Sequence, residues 1–322
     1  MKAIAISKFG GADQLKEMVL PKPEPGPGQI LVKVVACGAN PVDYKIRAGA
    51  VPLNFDFPLV LGYDCSGVVE SVGAGVSEFT SGDEVYYTPE LNLQGAYADY
   101  HVADASIATL KPIGLSHVEA AAVPLAGSTA WQALFDRAQL KTGQVVLIHG
   151  GAGGVGSMAV QLASWIGAEV FATAGPDNQD FLEDLGADVP INYRSESFVQ
   201  VVNEVTRGEG VDVVLDTVGG DVLLQSFETL SPGGVVVSIV PENMGNRPLE
   251  GLTPAFFKNA TLHCHFMERR RDTLDALARL LERGLIEPVV DEVMPLDRAA
   301  RAHERMETGH GRGKIVLEVE KG

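Results

Sequence analysis

A glycine-rich stretch near the middle of the chain restricts its possible folds more than any other feature. The segment LIHGGAGGVGSMAVQLA, residues 147–163, contains five glycines within seven positions. The apolar run VVLIH precedes the glycines, and a second apolar run, EVFAT, follows after a segment of helical length. Small or apolar residues recur between the two runs at the spacing of one helix face: Val155, Ala159, Leu162 and Ile166. This pattern predicts a strand, a tight turn, a helix and a second strand.

Some of these glycines have the spacing GxGxxG, which is typical of dinucleotide-binding turns. A pyrophosphate can approach the backbone N–H groups at a helix N-terminus only where side chains are absent, and the helix dipole favours its charge. Because a strand precedes the turn and a helix follows it, we expect a binding site rather than a plain turn. The residues expected to contact the cofactor here are Gly151, Gly153, Gly154, Val155 and Gly156.

The composition favours a large globular protein with an acidic surface. The 322 residues are 46% hydrophobic, enough to bury a sizeable core, and their number suggests two domains. The formal net charge of −17 argues against a nucleic-acid or anionic-membrane partner, because binding to phosphates requires a surplus of lysine and arginine. The basic cluster Arg269, Arg270 and Arg271 is interpreted as a solvated helix face without a functional role.

No segment indicates membrane insertion or export. No apolar stretch approaches the ~18 residues of a membrane-spanning helix, and the first residues contain no continuous signal-peptide core. The three cysteines, Cys37, Cys65 and Cys264, are widely spaced and form no CxxC pair, so we interpret them as buried free thiols. We therefore expect a cytoplasmic protein.

The chain divides into parts with different patterns. Short β-branched or aromatic runs, separated by glycine and proline, fill the first ~110 residues and predict a barrel-like or sandwich-like β domain. From residue 116 onward, helical periods alternate with buried-type strands, as in a parallel sheet covered by helices on both faces. Helices around 274–283 and 297–307 and the strand KIVLEV end the chain, and we expect them to return to the first domain. The predicted domain limits are 1–123 and 268–322 for the β-rich domain and 124–267 for the dinucleotide-binding domain.

The end of the second predicted strand of the binding domain indicates which dinucleotide is preferred. NAD sites usually place a carboxylate there, about 20 residues after the first glycine, to bind the ribose 2′-hydroxyl. This chain has Thr173 and Ala174 followed by a glycine, so a 2′-phosphate is tolerated, although Asp177 lies close behind. Tyr193 and Arg194, after the third predicted strand, could bind that phosphate or could be ordinary surface residues. We expect NADPH in preference to NADH.

Six motifs along the chain occur in an order known from one protein family. They are GPGQILVKVVACGANPVDYKIRAG, PLVLGYDCSGVVESVGAGV, GDEVY, AAAVPLAGSTAWQAL, HGGAGGVGSMAVQLA and GRGKIVLEV. Together they resemble the medium-chain dehydrogenase/reductase superfamily, and most closely its quinone oxidoreductase, or zeta-crystallin-like, group. The resemblance implies an α/β protein with a GroES-like β-rich catalytic domain, a Rossmann domain with a doubly wound parallel sheet, and a cleft for the nicotinamide. It also implies a homodimer that pairs the last Rossmann strand, TLHCHF.

The chain departs from the zinc-dependent members of this family at the metal positions. Where zinc alcohol dehydrogenases have a cysteine, a histidine and often a third thiolate, this chain has Asn40, Tyr63 and Leu125. A catalytic zinc requires three N, S or O donors around an open fourth position, which these residues cannot supply. A structural zinc requires four clustered cysteines, and no cysteine lies between Cys65 and Cys264. We therefore expect no zinc.

The resemblance also suggests four catalytic candidates. Asn40 and Asp43 match the family's N-P-x-D stretch, and Tyr44 and Tyr63 lie on segments that line the cleft in relatives. Such side chains could donate to the oxygen of an acceptor, where each placed donor contributes about 3–4 kcal/mol. Alternatives remain open: Asn40 could shape a turn, Asp43 and Asp64 could bind local backbone N–H groups, and both tyrosines could lie at the core edge.

The remaining predicted cofactor contacts and the functional hypothesis also follow from the resemblance. Thr129 in GSTAW matches the family's nicotinamide-side threonine, and Val218, Ile239 and Arg312 complete the cofactor-binding set. Because hydride transfer belongs to the nicotinamide, a site without metal suits electron-poor acceptors. We expect an enzyme, a zinc-independent NADPH-dependent oxidoreductase that transfers hydride to a quinone or an α,β-unsaturated carbonyl. The alternative is a non-catalytic NADPH-binding protein, crystallin-like or regulatory.

Overall fold

The computed structural model describes residues 1–240, 252–309 and 311–319, which form two compact units. The first unit comprises Met1–Ser128 and the chain from Arg269 onward, and the second comprises the described residues of Thr129–Glu268. The strands are β1 (Lys2–Ile6), β2 (Lys16–Val19), β3 (Gln29–Gly38), β4 (Leu59–Val60), β5 (Cys65–Val72), β6 (Glu84–Tyr87), β7 (Tyr100–Asp104), β8 (Thr109–Leu110), β9 (Val145–Ile148), β10 (Glu169–Ala174), β11 (Val189–Asn192), β12 (Val211–Asp216), β13 (Leu230–Ser238), β14 (Thr261–Cys264), β15 (Val290–Pro295) and β16 (Lys314–Glu318). The helices are α1 (Pro41–Arg47), α2 (His117–Ala121), α3 (Pro124–Trp131), α4 (Gly154–Ile166), α5 (Gln179–Asp184), α6 (Phe198–Val205), α7 (Gly220–Thr229), α8 (Thr253–Lys258), α9 (Arg271–Glu282) and α10 (Ala299–Glu307).

The first unit is built on two sheets of mostly antiparallel strands. The larger sheet has the order β15-β16-β3-β5-β6-β8, with β7 also paired to β3, and the smaller has the order β2-β1-β4. β16 is antiparallel to β3, with Val316 opposite Gly38. Continued by two residues, this register places Lys314 opposite Asn40, where the chain leaves β3 and enters α1. A Cβ at Gly38 would collide with the carbonyl oxygen of Ala121, so glycine permits the close approach of α2.

The second unit is a doubly wound parallel sheet, as predicted. Its strand order is β11-β10-β9-β12-β13-β14, and each pair of neighbouring strands is parallel. The strands are apolar because helices cover both faces, and a buried core forms around residues such as Leu147, Phe171 and Val214. Successive strands are added on one side of β9 up to β11 and on its other side from β12 onward. Ligands of such sheets bind at the carboxyl ends of the strands at this switch point. The glycine-rich turn directly follows β9.

The two helices predicted near the end of the chain are confirmed, with small differences at their N-termini. α9 begins at Arg271 rather than near Leu274. α10 begins at Ala299, because the preceding residues, Leu296–Arg298, form a 3-10 turn. None of the helices in the described part of the chain has the length and apolar character needed to span a bilayer.

Candidate functional site

The glycine-rich turn leaves backbone N–H groups available at the N-terminus of α4. Gly153 is the N-cap residue and has no side chain with which to cap the helix. The first-turn N–H groups of Gly154, Val155 and Gly156 therefore have no partner within the helix. Together with the positive end of the helix dipole, they form a site suited to a phosphate group.

At three glycines of this turn, Gly150, Gly151 and Gly156, a side chain would be strained or would collide. Gly150 has a φ of +67°, which favours glycine. A Cβ at Gly156 would collide with the carbonyl oxygen of Gly150, and a Cβ at Gly151 would lie 2.8 Å from a methyl carbon of Leu182. A Cβ at Gly153, in contrast, would have nothing nearer than the Gly150 oxygen at 3.4 Å. The turn therefore packs tightly against its own unit but is open at Gly153, which fits a bound pyrophosphate.

A buried histidine that sequence reasoning missed holds this turn to the sheet. The Thr173 hydroxyl accepts the Gly150 N–H at 3.2 Å and lies 3.2 Å from Nδ1 of His149. Nε2 of His149 lies 3.0 Å from the Ser226 hydroxyl, which donates to a backbone carbonyl. His149 Nε2 must therefore donate to Ser226, so Nδ1 accepts from Thr173. Burial lowers the pKa of His149 to about 4, which keeps the ring neutral.

The residues predicted to surround the 2′ position lie at the ends of neighbouring strands. Thr173 and Ala174 end β10 and are buried, each with 4% of its surface exposed. Tyr193 and Arg194 directly follow β11; Tyr193 is half exposed, and its N–H donates to the carbonyl of Ala174. A Cβ at Gly175 would lie 3.9 Å from the Tyr193 hydroxyl oxygen. The Tyr193 phenol thus lies beside Gly175.

Two further predicted contacts follow the next parallel strands. Val218 comes after β12 and Ile239 directly after β13. The backbone N–H groups of both residues donate hydrogen bonds to Asp216. One carboxylate oxygen of Asp216 accepts the Val218 N–H at 3.0 Å, and its backbone carbonyl accepts the Ile239 N–H at 3.1 Å. The other carboxylate oxygen accepts the Ser238 hydroxyl at 2.8 Å. Asp216 therefore fixes the carboxyl ends of β12 and β13, beside the glycine-rich turn.

Two predicted cofactor contacts lie elsewhere in the fold. Thr129 lies on α3 and is 95% buried, since only 5% of its surface is exposed. Arg312 is exposed and belongs to the first unit, two residues before β16 begins. Their roles stay predictions.

In the first unit, the buried carboxylate of Asp64 accepts hydrogen bonds from several segments. One oxygen accepts from Asn40 Nδ2 at 2.9 Å and from Lys314 Nζ at 3.0 Å. The other accepts the Leu125 N–H at 2.7 Å and lies 3.4 Å from the Thr88 hydroxyl. Burial raises the pKa of Asp64, and the nearby ammonium of Lys314 opposes that rise. Asp64 thus binds a backbone N–H, as considered from sequence, but also a buried cation that was not foreseen.

Asp43 fixes the start of α1. Its carboxylate accepts the N–H groups of Asn40 at 2.6 Å and Gly62 at 3.1 Å, and the Tyr97 hydroxyl at 3.3 Å. Burial raises the pKa of Asp43 to about 7. No part of its surface is exposed, so its contacts are those of a group that holds backbone in place.

The two candidate tyrosines differ in how their hydroxyls are engaged. Tyr63 is fully buried, its hydroxyl donates to the carbonyl of Leu91 at 3.3 Å, and burial raises its pKa. Tyr44 lies on α1 and is half-buried, and its hydroxyl has no hydrogen bond to another described residue. Of the two, Tyr44 therefore has a donor available for a ligand.

The interpretation of the arginine cluster as a solvated face is wrong for Arg269. Only 11% of its side chain is exposed; Nε donates to the carbonyl of Pro89 at 2.7 Å and lies 3.6 Å from the Glu90 carboxylate. Arg270 and Arg271 are more exposed and pair with aspartates of α9. The prediction was wrong for Arg269 because three consecutive arginines cannot be distinguished by residue type, whereas their burial depends on the residues that the fold places around them.

The three positions that correspond to zinc ligands do not offer the donors that a catalytic zinc needs. The side-chain oxygen of Asn40, the atom through which an amide would bind a metal, accepts instead from the Lys314 ammonium. Tyr63 is a buried phenol whose pKa is raised by burial, so it stays protonated and is a poor zinc ligand, and Leu125 has no N, S or O atom in its side chain. The described residues contain no group of three or more His, Cys, Asp or Glu side chains arranged to hold a metal. The side chains at these positions do not fit a zinc ion.

Comparisons with known proteins match most of the chain. A family model described as an alcohol dehydrogenase GroES-like domain matches residues 26–113, and one described as a zinc-binding dehydrogenase matches residues 185–317. A quinone oxidoreductase of Sus scrofa is 34% identical, covering 98% of this chain and 97% of its own length. An NADPH-dependent alkenal/one oxidoreductase of Arabidopsis thaliana is also 34% identical, covering 98% of this chain and 79% of its own length.

Solved structures agree with these relatives. A quinone oxidoreductase from Coxiella burnetii has a TM-score of 0.91 at 37% identity, covering 99% of each chain. An NAD-dependent alcohol dehydrogenase has a TM-score of 0.93 at 32% identity, covering 99% of this chain and 100% of its own. A mycobacterial protein solved in complex with NADPH has a TM-score of 0.90 at 30% identity, with the same coverage.

The matches confirm the predicted fold class, a GroES-like domain combined with a Rossmann-type parallel sheet. They also show that the chain is an oxidoreductase with a nicotinamide cofactor, since its relatives are named as such enzymes. The protein belongs to the medium-chain dehydrogenase/reductase superfamily, within its quinone oxidoreductase branch.

Proposed function

We propose that the protein is a zinc-independent reductase that uses NADPH to transfer hydride to a quinone or an α,β-unsaturated carbonyl. The observation that carries the proposal is the state of the three residues at the zinc-ligand positions. The Asn40 oxygen accepts from the Lys314 ammonium, burial raises the pKa of Tyr63 so that its phenol stays protonated, and Leu125 has no N, S or O atom in its side chain. Without a metal to polarise an alcohol or a carbonyl, the site suits acceptors that are already electron-poor. The quinone and alkenal/one oxidoreductases among the relatives support this acceptor class.

The preference for NADPH rests on the surroundings of the end of β10. A carboxylate that would repel a 2′-phosphate is missing at Thr173 and Ala174, while Tyr193 and Arg194 follow the adjacent strand. In this proposal the N–H groups at the start of α4 bind the pyrophosphate, and Tyr193 and Arg194 bind the 2′-phosphate. Thr129, Val218, Ile239 and Arg312 complete the contacts with the nicotinamide half and the phosphates.

The chain's own residues orient the reactants and stabilise charge, while bound NADPH supplies the hydride. We assign the acceptor's oxygen to the Tyr44 hydroxyl, the one of the candidate donors that is not already engaged. Negative charge develops on that oxygen during reduction, and a placed donor contributes about 3–4 kcal/mol to its stabilisation. Tyr44 or solvent then provides the proton. Asn40 and Asp43 act indirectly, because they hold the first turn of the helix that carries Tyr44.

The proposal is tested with the purified chain before and after treatment with a chelator. NADPH oxidation is followed with 9,10-phenanthrenequinone and with a short enone, and metal content is measured on the same samples. We expect turnover with at least one acceptor, a lower KM for NADPH than for NADH, and no loss of rate on chelation. Activity lost with the metal and restored by zinc would overturn zinc independence. Tight NADPH binding with neither acceptor consumed would favour the non-catalytic alternative.

A matched pair of variants tests the coenzyme preference. Arg194→Gln should raise the KM for NADPH about tenfold without changing that for NADH, because one charged contact to the 2′-phosphate is worth about 1.4 kcal/mol or more. Arg207→Gln changes an exposed arginine of the same unit and should alter neither value. An equal change in the KM for NADPH and the KM for NADH would show that Arg194 does not bind the 2′-phosphate.

The proposal extends to assembly, location and domain limits. β14 is the last strand of the six-stranded sheet, and the nearby Phe266 is 70% exposed, so a second copy could pair with this edge. We propose a homodimer through β14, and light scattering of the protein as it elutes from a sizing column measures its molar mass.

We also propose a cytoplasmic location. We assign residues 1–123 and 268–322 to the catalytic domain and 124–267 to the cofactor domain.

A further inference from the structure

Lys314 is a lysine almost without contact with solvent. Only 6% of its surface is exposed, although lysine is rarely buried unless it is paired. Its ammonium donates to the side-chain oxygen of Asn40 and, at 3.0 Å, to the carboxylate of Asp64. These three side chains form a closed group, which we call the Lys314 triad.

The polar atoms of Asn40 in the triad are fully committed. Its oxygen faces Lys314, and its two amide hydrogens go to Asp64 at 2.9 Å and to the carbonyl of Gly38 at 3.2 Å. An ammonium can only donate and a carboxylate can only accept, so this arrangement fixes which way the amide points. If the amide were reversed, its NH2 group would face Lys314 and its oxygen would face Asp64.

The triad lies at the start of the helix that carries the proposed donor. Asn40 is the N-cap residue of α1, and Tyr44 lies one helical turn further on. Lys314 is also the cation that forms an ion pair with the buried Asp64 carboxylate among the described residues, at 3.0 Å. We propose that Lys314 is a positioning residue: its ammonium supplies a buried positive charge beside Asp64, orients Asn40, and thereby fixes α1 and Tyr44.

The expected change in kcat rests on the proposed role of Tyr44 as a donor. The melting temperature and the hydrogen exchange test the role of Lys314 independently of that assignment. Lys314→Met removes the charge, Asp64→Asn removes the opposite charge, and the double variant removes both. Lys16→Met is the matched control, an exposed strand lysine in the same unit. Each variant is measured for melting temperature, for amide exchange in the segment 40–47, and for kcat with 9,10-phenanthrenequinone.

We expect Lys314→Met to lower the melting temperature well beyond Lys16→Met, because it leaves the Asp64 carboxylate buried and unpaired. The double variant should recover more than half of that loss. With Lys314 gone, however, the Asn40 amide is free to reverse so that its oxygen accepts from the new amide at position 64. Exchange in 40–47 should therefore stay faster than in the wild type, and kcat should stay at least tenfold lower.

Four results would overturn the proposal. One is a Lys314→Met variant as stable as Lys16→Met, and another is a double variant that regains none of the lost stability. The third is a double variant that regains stability, exchange protection and kcat together, because Lys314 would then only balance charge. The fourth is a double variant that fails to fold, because the proposal requires the double variant to fold even where Lys314→Met alone does not. If the wild type shows no turnover, the function proposal fails while melting and exchange still test the triad.

Discussion

Nε2 of His303 lies 3.3 Å from the hydroxyl oxygen of Tyr97 in the interior of the first unit. On the other side of the ring, Nδ1 lies 3.3 Å from a guanidinium nitrogen of Arg47, which can only donate. Nδ1 therefore accepts, Nε2 carries the proton, and the Tyr97 hydroxyl accepts from His303 and donates to Asp43. A directional series of hydrogen bonds thus connects α10 to the first turn of α1.

Removing the Tyr97 hydroxyl should be costly. Tyr97→Phe leaves the buried His303 N–H without its acceptor and removes a donor from Asp43, for an expected loss of about 1–3 kcal/mol in the free energy of unfolding. Tyr86→Phe is the control, because that buried hydroxyl makes one bond to the carbonyl of Leu274. Urea unfolding should show a larger loss of unfolding free energy for Tyr97→Phe than for Tyr86→Phe. Equal losses would contradict the series of hydrogen bonds from His303 through Tyr97 to Asp43.

His303 should make the protein sensitive to acid. Burial lowers its pKa from 6.5 to about 3, so the unfolded chain takes up a proton at this residue before the folded chain does. Its contribution to stability is complete above pH 6.5 and is lost as the pH falls toward 3. His303→Gln should therefore reduce the slope of unfolding free energy against pH by up to about 1.4 kcal/mol per pH unit within that window. Above pH 6.5, the plots of unfolding free energy against pH should run parallel for both proteins. An unchanged slope in His303→Gln below that pH would contradict the prediction.

Two glycines of the turn should respond differently to alanine. At Gly153 the added Cβ fits the fold but enters the open side of the turn, so Gly153→Ala should weaken NADPH binding about tenfold with a nearly unchanged melting temperature. At Gly156 the added Cβ collides with backbone, so Gly156→Ala should lower both affinity and melting temperature. Cofactor fluorescence and thermal unfolding measure the two effects. Unchanged affinity in Gly153→Ala would argue against a pyrophosphate at this turn.

The hydroxyl of Thr173 should matter for cofactor binding although it is buried. Thr173→Val removes the group that links the Gly150 N–H to His149, with an expected loss of about 1–3 kcal/mol in stability and a higher Kd for NADPH. Thr173→Ser keeps the hydroxyl and should retain most of the affinity. If Thr173→Val binds NADPH as tightly as the wild type while Thr173→Ser binds it more weakly, the methyl group rather than the hydroxyl is what the turn requires.

The hydroxyl of Tyr44 should affect the rate and not the binding of NADPH. Tyr44→Phe is expected to lower kcat about 100-fold, the range for loss of one donor to a developing oxyanion, with an unchanged Kd for NADPH. Tyr86→Phe serves as the control for loss of a tyrosine hydroxyl away from the site. Tyr63→Phe is the informative comparison: a larger fall in kcat there than in Tyr44→Phe would transfer the donor role to Tyr63.

Much of the fold was predictable because its signals are local. The GxGxxG turn, the helical spacing after it and the alternating strands are properties of neighbours along the chain, and the doubly wound sheet follows from their order. The order of motifs also indicated the family. The same local signals could not separate Arg269 from Arg270 and Arg271, because burial depends on what the rest of the chain places nearby.

The sequence by itself determined a parallel-sheet unit with a phosphate-binding turn, since a few adjacent residues are enough to build one. Only the tertiary structure decided which polar groups meet around Asp64. Lys314 is 250 residues from Asp64 and 274 from Asn40, and they meet because β16 pairs with β3 in one register. A slip of one residue would turn the lysine to the opposite face, and no local pattern encodes that register.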